Sequence, residues 1–90
     1  MLIIIKSGPD SVEAKRAVKT AKDSAGDIIL IQSAVYFAEK ERLEGFCGTV
    51  YALDEDLTLR GVIDIEKNIK KIGYAELVRM CADDKTVGAF

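Results

Sequence analysis

Two short runs of apolar residues constrain the fold more than any other feature of this chain. Leu2 to Ile5 and Ile28 to Ile31 are continuously apolar rather than alternating between apolar and polar residues. Strands of this kind are covered on both faces, as in a parallel sheet flanked by helices. Between the two runs, alanines recur at helical spacing from Ala14 to Ala25, which predicts a helix connecting the strands.

The same alternation continues to the end of the chain. We predict helices over Val35 to Leu43, Glu55 to Leu59 and Tyr74 to Ala82, and strands over Thr49 to Leu53, Ile69 to Ile72 and Lys85 to Phe90. The predicted fold class is therefore α/β, a single three-layer domain over residues 1–90. Its sheet is expected to be mainly parallel, with about four to five strands and helices on both faces.

Composition excludes several kinds of function. The 13 basic and 15 acidic residues leave a net charge of −2, without the clustered positive charge of a nucleic-acid-binding domain. We therefore expect no direct contact with nucleic acid. The chain has no histidine, which excludes common zinc sites and histidine-based triads, and no cofactor or metal is expected. No run approaches the ~20 apolar residues of a membrane span, so we expect a cytoplasmic protein without a membrane partner.

The two cysteines lead to different interpretations. Cys47 lies in the loop Gly45-Phe46-Cys47-Gly48, where it is either a loop cysteine at the start of a strand or a reactive thiol. A reactive thiol needs a positive environment, and Arg42 is the nearest cation in sequence. Cys81 shares a predicted apolar helix face with Leu77 and Val78, and is interpreted as part of the core because free cysteine behaves as a small hydrophobe.

Three carboxylates follow the predicted third strand. We interpret Asp54 as the N-cap of the next helix, and Glu55 and Asp56 as acidic residues that favour the positive end of that helix. The alternative is a carboxylate pair for acid–base chemistry or a metal site. After the first strand, Ser7 and Asp10 have the spacing of a loose capping box, and the loop lacks the glycines and the lysine of a phosphate-binding loop.

The residues around the third strand resemble a known family. Val50-Tyr51-Ala52-Leu53-Asp54-Glu55-Asp56-Leu57, followed by Arg60-Gly61 and later by Tyr74-Ala75-Glu76-Leu77-Val78, is similar to the TusB/DsrH family. The second strand and its continuation, Ile28 to Val35, also resemble that family. The matching motif residues are Tyr51, Leu53, Asp56, Leu57, Arg60, Gly61, Tyr74 and Val78.

The resemblance implies a DsrE-like fold and membership of a sulfur-relay, or sulfurtransferase, complex. Such complexes pass persulfide sulfur towards 2-thiolation of the tRNA wobble uridine. In this family of complexes the sulfur-carrying cysteine lies in the DsrE- or TusD-like subunit. Some DsrH-like members have a cysteine in the first helix, but residues Asp10 to Ala25 contain none here. We therefore expect an accessory subunit rather than an enzyme.

The expected partners are TusC- and TusD-like (DsrF- and DsrE-like) subunits, a second copy of the chain, or both, with a dimer as the expected homo-oligomer. Two alternatives stay open. Cys47 could be a persulfide carrier that acts alone, or the chain could be an orphan homo-oligomeric binding module of the same fold.

Overall fold

Short strands and helices alternate along the chain. The computed structural model describes residues 1–40, 42, 43 and 45–90, with the backbone alone for residues 87–89. The strands are β1 (Leu2–Ile5), β2 (Asp27–Leu30), β3 (Val50–Leu53), β4 (Ile69–Ile72) and β5 (Thr86–Ala89). The α-helices are α1 (Val12–Ser24), α2 (Asp54–Leu59) and α3 (Tyr74–Asp83), and a 3₁₀ helix spans Gln32–Ala38.

The five strands form one parallel sheet in the order β4-β3-β2-β1-β5. All four neighbouring pairs are parallel, which confirms the predicted α/β class. The chain adds strands in one direction from β1 to β4 and then crosses back to place β5 beyond β1. Right-handed crossovers put the helix of such a return on the opposite face of the sheet, and α3 is that helix.

The two faces of the sheet are covered unequally. The larger buried cluster joins one face to α1, the 3₁₀ helix and α2, whereas the smaller cluster joins the other face to α3 alone. Alternate residues of β1, β2 and β3 enter different clusters, as Ile28 and Ile29 do. Because both faces of β1 and β2 are packed, Leu2 to Ile5 and Ile28 to Leu30 are all apolar.

Helix α1 is built to lie close to the sheet. Ala14, Ala17 and Ala21 are buried on its inner side, and their small side chains allow a close approach. The N-cap is Ser11, whose Oγ accepts a hydrogen bond from the Ala14 N–H at 3.0 Å. The N-cap thus lies within the predicted segment Ser7 to Ser11, but the loose capping-box spacing of Ser7 and Asp10 does not mark it, since Ser11 is the residue with extended backbone directly before the first turn.

The predicted helix over Val35 to Leu43 was also wrong in type and extent. The segment is a 3₁₀ helix that ends at Ala38, and Lys40 has a left-handed backbone with φ of 58°. Four of the seven residues in this 3₁₀ helix are buried. The segment therefore lacks the regular polar face that a surface α-helix has. Glu41, on which part of the prediction depended, lies outside the described residues.

The remaining elements agree with the predictions to within about two residues, the usual uncertainty of element boundaries. Strand β4 lies at one edge of the sheet and β5 at the other. Lys70 and Lys71 in β4 are exposed, and lysines on an edge strand discourage further strand pairing. No described helix has the length and the apolar composition needed to cross a membrane.

Candidate functional site

A parallel sheet has two distinct edges, and the candidate residues divide between them. The carboxyl edge contains the residues that follow the strands: the loop 6–11, Gln32, the start of α2, the start of α3, and Phe90. The amino edge contains the residues that precede strands, including the loop 45–49 before β3. In open α/β sheets, ligands bind outside the carboxyl edge, so this edge is the first candidate site.

Asp56 connects the ends of β2 and β3 at the carboxyl edge. Its Oδ2 accepts a hydrogen bond from the Gln32 N–H at 2.7 Å, and its Oδ1 lies 3.6 Å from Nη1 of Arg60. Gln32 has a left-handed backbone with φ of 50°, a conformation that costs a non-glycine residue about 1–2 kcal/mol. The Asp56 carboxylate therefore stabilises a strained turn, and Arg60 balances its charge.

Glu55 connects the ends of β3 and β4 in a similar way. Its Oε2 accepts a hydrogen bond from the Tyr74 N–H, the first residue of α3, at 3.1 Å. The N-cap of α3 is Gly73, which has no side chain to cap the helix. A carboxylate from α2 therefore supplies both the missing acceptor and the negative charge that a helix N-terminus favours.

The other strand ends are joined as well. The Ile31 N–H, after β2, donates a hydrogen bond to the Ile5 carbonyl, at the end of β1, at 3.0 Å. The Ser7 N–H donates to the Phe90 carbonyl at 3.2 Å, which joins β1 to β5 where the strand order reverses. This reversal is where ligands bind in related folds, and here Phe90 is partly buried against the larger cluster. The carboxyl edge is thus linked across all five strands.

Of the three carboxylates, Glu55 and Asp56 lie in the first turn of α2 as predicted, whereas Asp54 does not have its predicted role. Asp54 is not the N-cap of α2: that position is Leu53, and no side chain caps the helix. Asp54 is exposed and forms the first turn, while Glu55 and Asp56 bind backbone N–H groups of other elements. No three His, Cys, Asp or Glu side chains of the described part of the chain are grouped so that they could hold a metal ion. The hydrogen bonds of Glu55 and Asp56 give these two carboxylates a structural role.

Most of the other motif residues build the β3–α2 unit. Leu53 and Leu57 are buried in different clusters, one on each face of the sheet, and Tyr51 is half-buried against the smaller one. Gly61 has φ of 67°, in the left-handed region that glycine adopts at little cost. This turn lets the Val62 N–H bind the Leu57 carbonyl at 2.9 Å and so ends α2.

The last two motif residues lie on the surface. Tyr74 is 63% exposed and Val78 is 54% exposed. The prediction that Val78 shares an apolar inner face with Leu77 and Cys81 was therefore wrong. Of these three residues, Leu77 is buried and Cys81 is partly buried against the same cluster. Val78 is exposed because it lies about 100° further around α3 than Leu77.

Cys47 lies at the amino edge, in the loop before β3, and its side chain is exposed. Its thiol lies 3.7 Å from the Gly45 carbonyl. The loop borders a groove of about 330 Å³ that is also lined by Lys22 and Phe46. Cys81 lies in the last turn of α3, which runs from the carboxyl edge to the amino edge. Both cysteines of the sequence therefore lie towards the amino edge of the sheet, opposite the carboxyl-edge turns.

Close backbone packing shapes this amino-edge loop. An atom added as Cβ at Gly48 would lie 2.6 Å from the Gly26 carbonyl oxygen and 2.8 Å from Cε2 of Phe46. Only glycine fits such an approach. Asp27 Oδ1 also accepts a hydrogen bond from the Thr49 N–H at 2.9 Å. Together these contacts hold the loop against the turn between α1 and β2.

The ion pair between Lys19 and Asp23 lies on the outer surface of α1. The pKa of Lys19 is raised, first by its hydrogen bond to Asp23 and then by the charge of the same carboxylate. This pair lies on the exposed side of α1 at (i, i+4) spacing, a common stabilising arrangement on helix surfaces. It therefore marks a helix surface rather than a reactive centre.

The sequence did not indicate the importance of Gln32 or Gly48. A left-handed residue after a strand is usually recognised by glycine or asparagine, and glutamine does not signal it. The contact between Gly48 and Gly26 joins segments that are 22 positions apart, so no local pattern predicts it.

Comparison with known proteins is consistent with this architecture. Residues 6–87 match the family model described as "DsrH like protein". No curated protein sequence matched the chain. The crystal structure of the ychN protein from E. coli is similar to this chain, with a TM-score of 0.80 and 14% sequence identity, over 99% of this chain and 97% of that one. At this identity the structural match shows the fold alone, whereas the family model matches nearly the whole sequence. The chain therefore belongs to the DsrH-like family.

Proposed function

We propose that this chain is a non-catalytic subunit of a sulfur-relay complex, in which it has an assembly role. Membership of the DsrH-like family supports the sulfur-relay part. The observation that supports a non-catalytic role is the position of the two thiols. Cys47 precedes β3 and Cys81 ends α3, whereas ligand sites of open parallel sheets form at the carboxyl edge.

The carboxyl edge itself supports an assembly role. Its carboxylates bind backbone N–H groups at Gln32 and Tyr74, and so hold together the loops that would otherwise form a ligand crevice. Such an edge presents a defined surface to a neighbouring subunit. We propose that the neighbours are DsrE- and DsrF-like (TusD- and TusC-like) chains, and that the sulfur is destined for 2-thiolation of the tRNA wobble uridine.

Co-purification tests the partners. We expect a tagged copy, expressed from its own locus in the native cell, to retain DsrE- and DsrF-like subunits. Deletion of the gene is expected to lower wobble-uridine thiolation, measured by mass spectrometry of digested tRNA. A deletion strain with normal thiolation would contradict the tRNA part, and absence of relay subunits would contradict the assembly part.

One observation favours a second candidate, a persulfide carrier that acts through Cys47. The thiol is exposed at a groove that is also lined by Lys22, and a thiol that accepts sulfur must be accessible. In this reaction the Cys47 thiolate attacks the terminal sulfur of a desulfurase persulfide. A new S–S bond forms on Cys47, and the desulfurase cysteine leaves as a thiolate.

Intact-mass analysis distinguishes the two candidates. The chain is incubated with a cysteine desulfurase and cysteine, and its mass is compared before and after reduction. For the non-catalytic subunit we expect no reducible gain of one sulfur atom. A gain that disappears in Cys47→Ser but persists in Cys81→Ser would instead establish the carrier. An orphan homo-oligomer of the same fold would show neither sulfur gain nor relay partners.

A further inference from the structure

Helix α2 binds the first residue of two helical elements that lie on opposite faces of the sheet. Asp56 Oδ2 accepts a hydrogen bond at 2.7 Å from the N–H of Gln32, which begins the 3₁₀ helix. Glu55 Oε2 accepts one at 3.1 Å from the N–H of Tyr74, which begins α3. The 3₁₀ helix packs in the larger cluster and α3 in the smaller one, on the other face. We refer to these two carboxylates and the two N–H groups they bind as the α2 bridge.

Both contacts of the α2 bridge depend on the same turn of helix. Glu55 and Asp56 are adjacent, so their Cα atoms are about 3.8 Å apart. Helix α2 has six residues and no side-chain cap, and a helix this short is not stable by itself. Leu57 is buried and fixes the middle of α2 to the larger cluster. Among the described residues, the hydrogen bonds that side chains of the first turn make with other elements are the two of the bridge.

Each end of the bridge has a reason to change when its hydrogen bond breaks. Gln32 has a left-handed backbone, which is unfavourable for a residue other than glycine, so this turn relaxes once Asp56 no longer holds it. Tyr74 follows Gly73, which has no side chain to replace Glu55 as the acceptor. Loss of either contact frees the first turn of α2 and displaces the carboxylate of the other contact. The bridge therefore has two states, with both hydrogen bonds formed or with neither.

We propose that the α2 bridge is a coupling element, in which the two hydrogen bonds form and break together. The start of the 3₁₀ helix on one face of the sheet and the start of α3 on the other then open as one unit. A contact that displaces the 3₁₀ helix therefore loosens α3 across the sheet, and the reverse holds equally because coupling free energies are reciprocal. This coupling is a property of the fold and does not depend on the sulfur relay.

Residue-resolved hydrogen exchange of the purified chain tests the coupling. Asp56→Ala removes the acceptor of the Gln32 N–H. We expect it to accelerate exchange at the Tyr74 amide, on the other side of the bridge, by about twofold or more, as expected within one hydrogen-bond network. Glu55→Ala should accelerate exchange at the Gln32 amide by the same factor. If each substitution changes only the amide that the lost side chain binds, the proposal is overturned.

Two control variants separate coupling from other effects. Asp54→Ala removes an exposed carboxylate of the same turn that forms no hydrogen bond or ion pair with another described residue. Gly48→Ala destabilises the chain from the opposite edge, where the added Cβ would lie 2.6 Å from the Gly26 carbonyl oxygen. Neither should accelerate exchange at Gln32 or Tyr74. An acceleration in either control equal to that in the bridge variants would overturn the proposal.

A double variant gives an independent test by urea unfolding. If the two hydrogen bonds were independent, Glu55→Ala/Asp56→Ala would raise the unfolding equilibrium constant by the product of the two single effects. Because the first loss already frees the turn, we expect the double variant to fall short of that product by about twofold or more. A double variant that reaches the product would overturn the coupling.

A conservative variant keeps the coupling testable if Asp56→Ala does not fold. Asp56→Asn retains an oxygen that can accept the Gln32 N–H, but it lacks the negative charge that strengthens the hydrogen bond. It should therefore accelerate exchange at the Tyr74 amide less than Asp56→Ala does, or by a measurable amount where only Asp56→Asn folds. Exchange at Tyr74 that is unchanged while exchange at Gln32 accelerates would contradict the two-state bridge.

Discussion

The two edges of the sheet are held together by different physical means. At the carboxyl edge, side-chain carboxylates bind backbone N–H groups of neighbouring elements, as Asp56 and Glu55 do. At the amino edge, the loop before β3 is held mainly by close backbone packing at Gly48 and by one hydrogen bond from Thr49 to Asp27. The charged edge contains the family motif, whereas both thiols lie towards the other edge.

This difference shows that an acidic segment at the end of a strand need not be a reactive site. The carboxylates at the carboxyl edge are engaged in structural hydrogen bonds, and they stabilise the turn at Gln32 and the start of α3. The exposed thiol at the amino edge has the access that chemistry requires. Substitutions at the two edges should therefore change different properties, and the following predictions test this separation.

The largest loss of stability is expected for Gly48→Ala at the amino edge. The added Cβ would approach the Gly26 carbonyl oxygen to 2.6 Å, and relieving such a clash typically costs about 2–3 kcal/mol. Urea unfolding measures the change. Gly73→Ala is the control, since nothing lies within 4 Å of that position, and its effect should stay below about 1 kcal/mol. Equal effects of the two substitutions would show that close packing does not hold this edge.

At the carboxyl edge, Asp56→Ala should cost about 2 kcal/mol, because it removes a charged acceptor from the Gln32 N–H. It also leaves Arg60 without its partner at 3.6 Å. The matched control is Asp54→Ala, which removes an exposed carboxylate two residues earlier and should cost at most about 0.5–1 kcal/mol. If Asp54→Ala proved as destabilising as Asp56→Ala, the connection between β2 and β3 would not explain the motif.

Glu55→Ala should have a smaller and local effect of about 0.5–1 kcal/mol, because it removes a cap from an exposed helix start. Hydrogen exchange should accelerate at the Tyr74 amide and the first turn of α3, and remain unchanged in α1. Glu13→Ala, in the first turn of α1, is the control for losing an acidic residue near a helix N-terminus. Uniform acceleration over the whole chain would contradict a local cap.

The smallest effect is expected for Cys47→Ser, within about 0.5 kcal/mol, because exposed positions away from structural contacts tolerate substitution. Cys81→Ser should cost about 1 kcal/mol, since Cys81 packs against the smaller cluster and burying a hydroxyl there is unfavourable. Thermal unfolding compares the two variants. A large loss for Cys47→Ser would mean that this thiol supports the amino edge and is not simply exposed on it.

Several features of the fold followed from local patterns. The apolar runs in β1 and β2 predicted strands with both faces buried, and the alanine spacing predicted a helix that lies close to the sheet. The acidic first turn of α2 and the turn at Gly61 could also be predicted, because each depends on residues adjacent in sequence.

Other features depended on distant segments and were missed or misread. The acceptors of the Gln32 and Tyr74 N–H groups lie 24 and 19 positions away, and no local pattern indicates them. Asp54, the carboxylate nearest to the start of α2, was wrongly predicted as the N-cap of that helix. Val78 has the spacing of a core residue, but the direction in which α3 faces the sheet leaves it exposed.

By itself, the sequence determined the α/β class, most strand positions and the resemblance to the DsrH-like family, because apolar periodicity and motif spacing are local properties. The tertiary structure decided which carboxylates bind which loops, which side of α3 remains exposed, and at which edge each thiol lies. These depend on how segments far apart in the chain approach one another across the sheet, and no local pattern encodes that geometry.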